Sequence, residues 1–299
     1  MEKELFIYVD GKFYPKSEAK ISVYDHGLLY GDGVFEGIKA YNGSVFRLKE
    51  HIDRLYKSAH TIMLQIPMTK EEMTKAVIET LKKNNLKEGY IRPLIFVGDG
   101  VMGVHPGKNP IRVSIITWPW GAYLGEEALE RGIRTKVSSY NRHHVNVMMT
   151  KAKISGNYVN SVLAKREVVR MGYDEAIMLD TEGYVSEATG ENVFMVKNGV
   201  LKTTPLTSVL PGITRDCVMY IARTKRIPLV EERFTRDELY VAHEAFLTGT
   251  AAEVTPIREV DDRKIGEGKP GPITREIQAS YFDIVKGRNP DTREWLDYL

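Results

Sequence analysis

Cysteine is almost absent: among 299 residues only Cys217 carries a thiol. A single cysteine excludes an intramolecular disulfide framework and any cysteine-rich zinc site. Net charge is equally scarce. Lys and Arg total 42 against 40 Asp and Glu, a formal charge of +2, which argues against a broad nucleic-acid-binding surface. No apolar run approaches the ~20 residues that a membrane span requires. The first residues, Met1-Glu-Lys-Glu-Leu-Phe, lack the apolar region and cleavage site of a secretory leader. These absences point to a cytoplasmic protein. What is present is ordinary for a folded chain: 42% hydrophobic and 27% charged residues, enough for a sizeable core. At ~150 residues per domain, the length suggests two domains.

The pattern along the chain mixes strands and helices. Strands are predicted at 5–9, 43–48, 90–97, 111–118, 132–139 and 175–180, and a hairpin at 192–203 turning on Asn198-Gly199. Leu48, Ile52, Leu55, Ala59 and Ile62 recur at helical spacing. A capping box, Thr69…Glu72, opens a second helix ending near Asn85. Further helices are predicted at 157–171, 214–224, 235–242 (capping box Thr235…Glu238) and 273–286. Periodicity weakens between Pro119 and Gly132. This places a small N-terminal α/β domain at 1–120, an interdomain loop at 121–132 and a larger domain at 133–299. The class is α/β or α+β, with no clean βαβ series.

Several segments carry candidate chemistry. Gly98-Asp-Gly-Val-Met-Gly103 matches the dinucleotide fingerprint, but Pro106 and Pro110 block the helix that such a loop must open, so it reads as a loop. Leu210-Pro-Gly-Ile-Thr-Arg-Asp216 reads as a turn into a helix with Thr214 as N-cap. Helix-start amides bind anions, although alone the pattern is equally that of a capped helix. Thr248-Gly-Thr-Ala-Ala252 is a second small-residue turn able to offer amides, and Arg54 brings a fixed charge. Together these three suit a phosphate monoester. Thr150-Lys-Ala-Lys-Ile-Ser-Gly-Asn-Tyr158 sets two lysines among small and apolar residues. A desolvated lysine serves as a Schiff-base amine and proton shuttle, whereas an exposed one does neither. Ser186-Glu-Ala-Thr-Gly-Glu-Asn192 offers two carboxylates, either of which would suit a pyridinium nitrogen. His143-His144 has no companion at metal-ligand spacing, so no metal is expected.

In this order the segments closely resemble the fold-type IV pyridoxal-phosphate enzymes, and within them the branched-chain amino-acid aminotransferases. The resemblance runs from about Phe6 to Leu296. It is carried by Leu29-Tyr-Gly-Asp-Gly-Val-Phe-Glu-Gly37, His51-Ile-Asp-Arg-Leu55, Tyr90-Ile-Arg-Pro-Leu-Ile-Phe96, Lys153-Ile-Ser-Gly-Asn-Tyr158, Ser186-Glu-Ala-Thr-Gly-Glu-Asn192, Leu210-Pro-Gly-Ile-Thr214 and Gly249-Thr-Ala-Ala-Glu-Val-Thr-Pro256. It implies a two-domain architecture with the cofactor, pyridoxal 5'-phosphate, between the domains. It also implies Lys153, not Lys151, as the Schiff-base and proton-transfer lysine. Tyr158 is expected on the cofactor's phenolic oxygen, and Glu187 rather than Glu191 on its pyridine nitrogen. Arg54, the amide of Ile213, Thr214 and Thr250 with its neighbour Gly249 are expected at the phosphate, and Leu210 against the ring.

For substrate, the same resemblance implies that Tyr90 and the amides of Thr250 and Ala251 take the α-carboxylate. Phe35, Tyr123 and Tyr30 wall an apolar space for Leu, Ile or Val. Tyr30, Met102 and Val104 come from a neighbouring subunit, making a homodimer with shared active sites. Arg92 with Tyr30 is the expected receptor for the distal carboxylate of glutamate or 2-oxoglutarate. The implied reaction is a ping-pong transamination from a branched-chain L-amino acid to 2-oxoglutarate. A D-amino-acid aminotransferase or aminodeoxychorismate lyase shares the scaffold. A non-catalytic pyridoxal-phosphate-binding protein would need none of Lys153, Tyr158 and Glu187.

Overall fold

A computed structural model describes residues 4–299. Met1–Lys3, the start of the segment read above as leader-free, lie outside the described residues. The chain forms two compact units. One takes residues up to Trp120 with Ala152–Asn157 and Pro290–Leu299, and the other Gly121–Lys151 with Tyr158–Asn289. Among the described residues no helix is long and apolar enough to cross a membrane.

The first unit is built on an eight-stranded antiparallel sheet in the order Leu296–Tyr298, Ser44–Phe46, Ile38–Tyr41, Gly89–Val97, Ile111–Trp118, Phe6–Val9, Lys12–Pro15, with Gly33–Phe35 as a further partner of Gly89–Val97. Gly89–Val97 pairs along its whole length with Ile111–Trp118. On its other edge two short strands share it, Gly33–Phe35 beside Leu94–Phe96 and Ile38–Ala40 beside Gly89–Ile91. Glu36-Gly37 bridges the two. A Cβ on Gly37 would lie 1.9 Å from the Tyr90 hydroxyl, so only glycine lets the chain pass over that ring. Helices Leu48–Thr61 and Lys70–Asn84 cover the sheet, the second opened by the expected Thr69…Glu72 capping box. Leu48, Ile52, Leu55 and Ala59 are buried at the predicted spacing with Met73, Val77 and Leu81.

The second unit closes on itself. Its strands run Val185–Ala188, Glu175–Leu179, Ile133–Val137, Glu253–Val260, Glu244–Gly249 and Asn192–Lys197, and the last returns to the first through the pair Glu187↔Asn192. Period-two alternation sorts the side chains. Ile177 and Leu179 share one core with Val193, Met195, Leu247 and Ile257, while Ala176 and Met178 face Ala164 and Val168 of helix Tyr158–Arg170. Val200–Thr203 and Leu229–Glu231 extend the sheet. The hairpin turns where expected, with Asn198 and Gly199 at φ 51° and 76°, as a type I′ turn demands.

Two expectations need correction. The stretch 121–132, read as loop, holds the helix Glu126–Arg131; Ala128 is its one buried side chain, so no apolar period marks it. Thr214 is not an N-cap. Helix Ile213–Thr224 starts from Gly212, which offers no side-chain cap, and Thr214 is its second residue. By contrast, the 98–103 segment leads into no helix, as Pro106 and Pro110 required.

Candidate active site

In the first unit a polar stripe interrupts the apolar face of helix Leu48–Thr61. His51, Arg54 and Ser58 fall on one line at i, i+3 and i+7. Arg54 donates from Nε to Glu36 Oε1 at 2.7 Å and from Nη2 to Oε2 at 2.9 Å. His51 Nδ1 lies 2.8 Å from Oε2. Glu36 is wholly buried. Burial opposes its ionisation, but Arg54 and His51 outweigh that and hold the carboxyl well below the usual range. An ionised carboxylate only accepts, so His51 Nδ1 carries the proton. Burial, only partly offset by Glu36, lowers the His51 pKa, so the ring is neutral at pH 7. The result is an arginine fixed in place by a buried carboxylate.

Ser58 extends the stripe to the lysine. Its Oγ accepts the Lys153 backbone N–H at 2.9 Å, and the Lys153 carbonyl accepts the Phe35 N–H at 3.1 Å. Ile154 bridges to Val34, and Ala152 and Ile154 sit in the core. Lys153 is half-buried with Nζ 4.8 Å from the Phe35 ring centroid, whereas Lys151 is exposed. The geometry thus distinguishes the two lysines that composition left equivalent. Arg92 lies beside the same ring, its guanidinium carbon 4.6 Å from the Phe35 centroid and 5.4 Å from that of Tyr90. Arg92 Nη2 is 3.5 Å from the Tyr90 hydroxyl, and its Nε is buried with no hydrogen-bond partner among the described residues. Tyr30, Met102 and Val104 are exposed, Val104 at 82%, and the Tyr30 hydroxyl donates to the Met102 carbonyl at 3.0 Å.

In the second unit Glu187 sits at the seam that closes the sheet, buried, with Oε1 2.6 Å from Arg142 Nε. Its Oε2 accepts the Leu210 N–H at 3.0 Å and Asn192 Nδ2 at 3.4 Å, and Asn192 Nδ2 also reaches the Leu210 carbonyl at 3.0 Å. A carboxylate has about four acceptor positions, so these contacts fix its charge and leave capacity for a further N–H. Ile213 and Thr214 are buried in the first turn of the uncapped helix, whose leading amides have no intrahelical acceptor. Tyr158 opens its helix. Gly249, Thr250 and Ala251 are half-buried where Glu244–Gly249 turns into Glu253–Val260. Tyr123 is packed near Lys165, whose Nζ is 5.5 Å from its ring centroid.

Glu36, His51, Ser58, Arg142 and Asn192 were missed as site residues. The His51-Arg54-Ser58 stripe was legible as polar positions breaking an apolar face. Arg142 had no local signal, because it lies in an irregular stretch and its partner is far along the chain.

The amine, the buried acid and the anion-ready helix start match what pyridoxal phosphate requires, and comparison with known proteins agrees. The amino-transferase class IV profile matches residues 33–260, and the chain belongs to that family. Its relatives narrow the kinship. A branched-chain-amino-acid aminotransferase of Pseudomonas aeruginosa is 48% identical over 98% of this chain and 97% of its own. A thermophile's branched-chain amino acid aminotransferase (T.th.), solved with pyridoxamine 5'-phosphate, superimposes with a TM-score of 0.96 at 47% identity, covering 99% of both chains. Structures of that enzyme with N-(5'-phosphopyridoxyl)-L-glutamate and with 4-methylvaleric acid give TM-scores of 0.95 and 0.94, each at 45% identity and 99% coverage of both chains. The family and the fold expected from the sequence are borne out.

Proposed function

We propose that the chain is a pyridoxal-phosphate-dependent branched-chain amino-acid aminotransferase. It moves the amino group of L-leucine, L-isoleucine or L-valine to 2-oxoglutarate and acts as a cytoplasmic homodimer. The observation that carries this reading is the Lys153 amine, half-buried against Phe35 on a backbone pinned by Ser58 and Phe35. When bound, the cofactor supplies an electrophilic carbon and an electron-withdrawing ring. The protein does the rest. Glu187, kept anionic by Arg142 and the Leu210 amide, holds the proton on the ring nitrogen. Arg54, oriented by Glu36, binds phosphate, and the Ile213 and Thr214 amides, with Thr250, bind phosphate oxygens. Tyr158 donates to the phenolic oxygen, and Leu210 packs on the ring. Lys153 Nζ takes the proton from the substrate Cα. The Thr250 and Ala251 amides and the Tyr90 hydroxyl receive the α-carboxylate, and Phe35 and Tyr123 exclude water from the apolar side chain. The exposed Tyr30, Met102 and Val104 suit burial against a second subunit. A steady-state donor panel tests the assignment. L-leucine, L-isoleucine and L-valine are expected to give parallel double-reciprocal lines with 2-oxoglutarate. Turnover of D-alanine instead, or of no amino donor, would overturn it.

Arg92 is the proposed receptor for the distal carboxylate. A buried guanidinium nitrogen without a partner costs roughly 1–3 kcal/mol, which an incoming carboxylate relieves. Arg92→Leu is expected to raise KM for 2-oxoglutarate roughly 10–100-fold, the worth of a charged hydrogen bond, while KM for L-leucine moves less than about threefold. Equal losses for both substrates would remove this role.

A further inference from the structure

The second acid of the Ser186–Asn192 segment, Glu191, is 6% exposed and unused by the reaction as described. It lies immediately before strand Asn192–Lys197, whose first residue pairs with Thr248. Its Cγ would be 3.3 Å from a Cβ placed on Gly249, so it packs directly behind the Gly249-Thr250-Ala251 turn. Nearby is Glu175, also fully buried. Glu175 is saturated as an anion: Lys165 Nζ at 2.6 Å, the Thr189 hydroxyl at 2.7 Å and the Ala176 N–H at 2.8 Å. Glu191 has a single hydrogen bond among the described residues, from the Gly190 N–H to Oε2 at 3.0 Å, and no cation within ion-pair distance. Two buried carboxylates thus face one ammonium, and Glu175 holds it.

We propose that Glu191 works as a neutral acid behind the Thr250-Ala251 turn, and that its ionisation sets the alkaline limit for binding a substrate carboxylate there. The proposal rests on the reading that this turn receives the α-carboxylate. Burial, and after it the charge of Glu175, pushes the Glu191 carboxyl up to about 8, against the pull of Lys165 and the Gly190 amide. The titratable groups facing it are Glu175 on its strand, Lys165 on helix Tyr158–Arg170, Glu187 on strand Val185–Ala188 and Tyr123 before helix Glu126–Arg131. The turn itself carries none. Below that range the turn's amides meet no competing buried anion. Above it, a new negative charge lies behind them and repels an incoming carboxylate.

The test uses 4-methylvalerate, which has a carboxylate but no amine, so its charge is constant from pH 7 to 9.5. Its Kd for the holoenzyme is measured across that range for wild type and Glu191→Gln, which fixes the neutral state. Lys153 and cofactor titrations are common to both, so the ratio of Kd at pH 9.5 to Kd at pH 7 isolates Glu191. The wild-type ratio is expected to exceed the Gln ratio by roughly fivefold. Equal ratios would overturn the proposal while leaving the carboxylate site intact. No binding of 4-methylvalerate at pH 7 would remove the underlying reading and the proposal together. Glu175→Gln gives an independent check. It releases Lys165 to Glu191, so the alkaline weakening is expected to shift to lower pH; an unshifted profile would again contradict the proposal.

Discussion

Lys153→Ala is expected to abolish transamination, with a loss of roughly 10⁴-fold or more in kcat, since it removes both the nucleophilic amine and the proton carrier at Cα. Lys151→Ala, two residues away on an exposed position, is expected to leave the rate within about twofold, as surface lysines contribute little. The contrast comes from backbone geometry. Lys153 is fixed by Ser58 on one side and Phe35 on the other, so its side chain is aimed with little entropy left to lose. Borohydride reduction of the holoenzyme, digestion and mass spectrometry read the result directly. The cofactor mass is expected on the peptide containing Lys153 in wild type and Lys151→Ala, and on neither lysine in Lys153→Ala. Cofactor mass on Lys151, or near-normal turnover by Lys153→Ala, would refute the assignment.

Glu187→Gln is expected to slow both half-reactions by roughly 10²–10³-fold, the scale for removing one preorganised electrostatic partner. Glutamine does not hold a proton on the ring nitrogen, so the ring loses its pull on the Cα electrons. A second effect must be separated from this one. Arg142 is 6% exposed and ion-paired to Glu187, and stripping one partner from a buried pair costs roughly 3–5 kcal/mol. Glu187→Gln is therefore also expected to melt earlier. Adding Arg142→Met removes the stranded cation and is expected to recover most of that stability, without restoring the half-reaction rates. Single-turnover spectra and thermal melts of the two variants distinguish the roles. Rates that recover with stability would make Glu187 structural only, and an unchanged rate in Glu187→Gln would end its role at the nitrogen.

Much of the fold was legible where burial is one-sided. Helix Leu48–Thr61 and the capping box at Thr69 emerged because one face is apolar and the other wet. Strands Glu244–Gly249 and Glu253–Val260 were not, because almost every position is buried and polar Glu244, Thr248, Glu253 and Thr255 fall inside them, leaving no period of two. Gly33–Phe35 and Ile38–Tyr41 are too short to show a pattern, and the sharing of one partner strand around Glu36-Gly37 is a tertiary fact. The site divides in the same way. Lys153, Arg54 and Glu187 stand in segments whose local sequence matches a known chemistry. Their supports do not: Glu36 reaches Arg54 across 18 residues, and Arg142 meets Glu187 only because the second sheet closes on itself. Thr214 was misread because hydroxyls favour caps, whereas here a bare glycine start leaves the helix amides for an anion.

The most direct measurement is the absorbance spectrum of purified holoenzyme given L-leucine alone and then 2-oxoglutarate. Two half-reactions through one lysine require that the cofactor's visible band bleach with L-leucine, in the absence of any oxo acid, and return when 2-oxoglutarate is added. A band that responds to D-alanine but not to L-leucine would contradict the branched-chain assignment, and one that responds to no amino acid would contradict transamination itself.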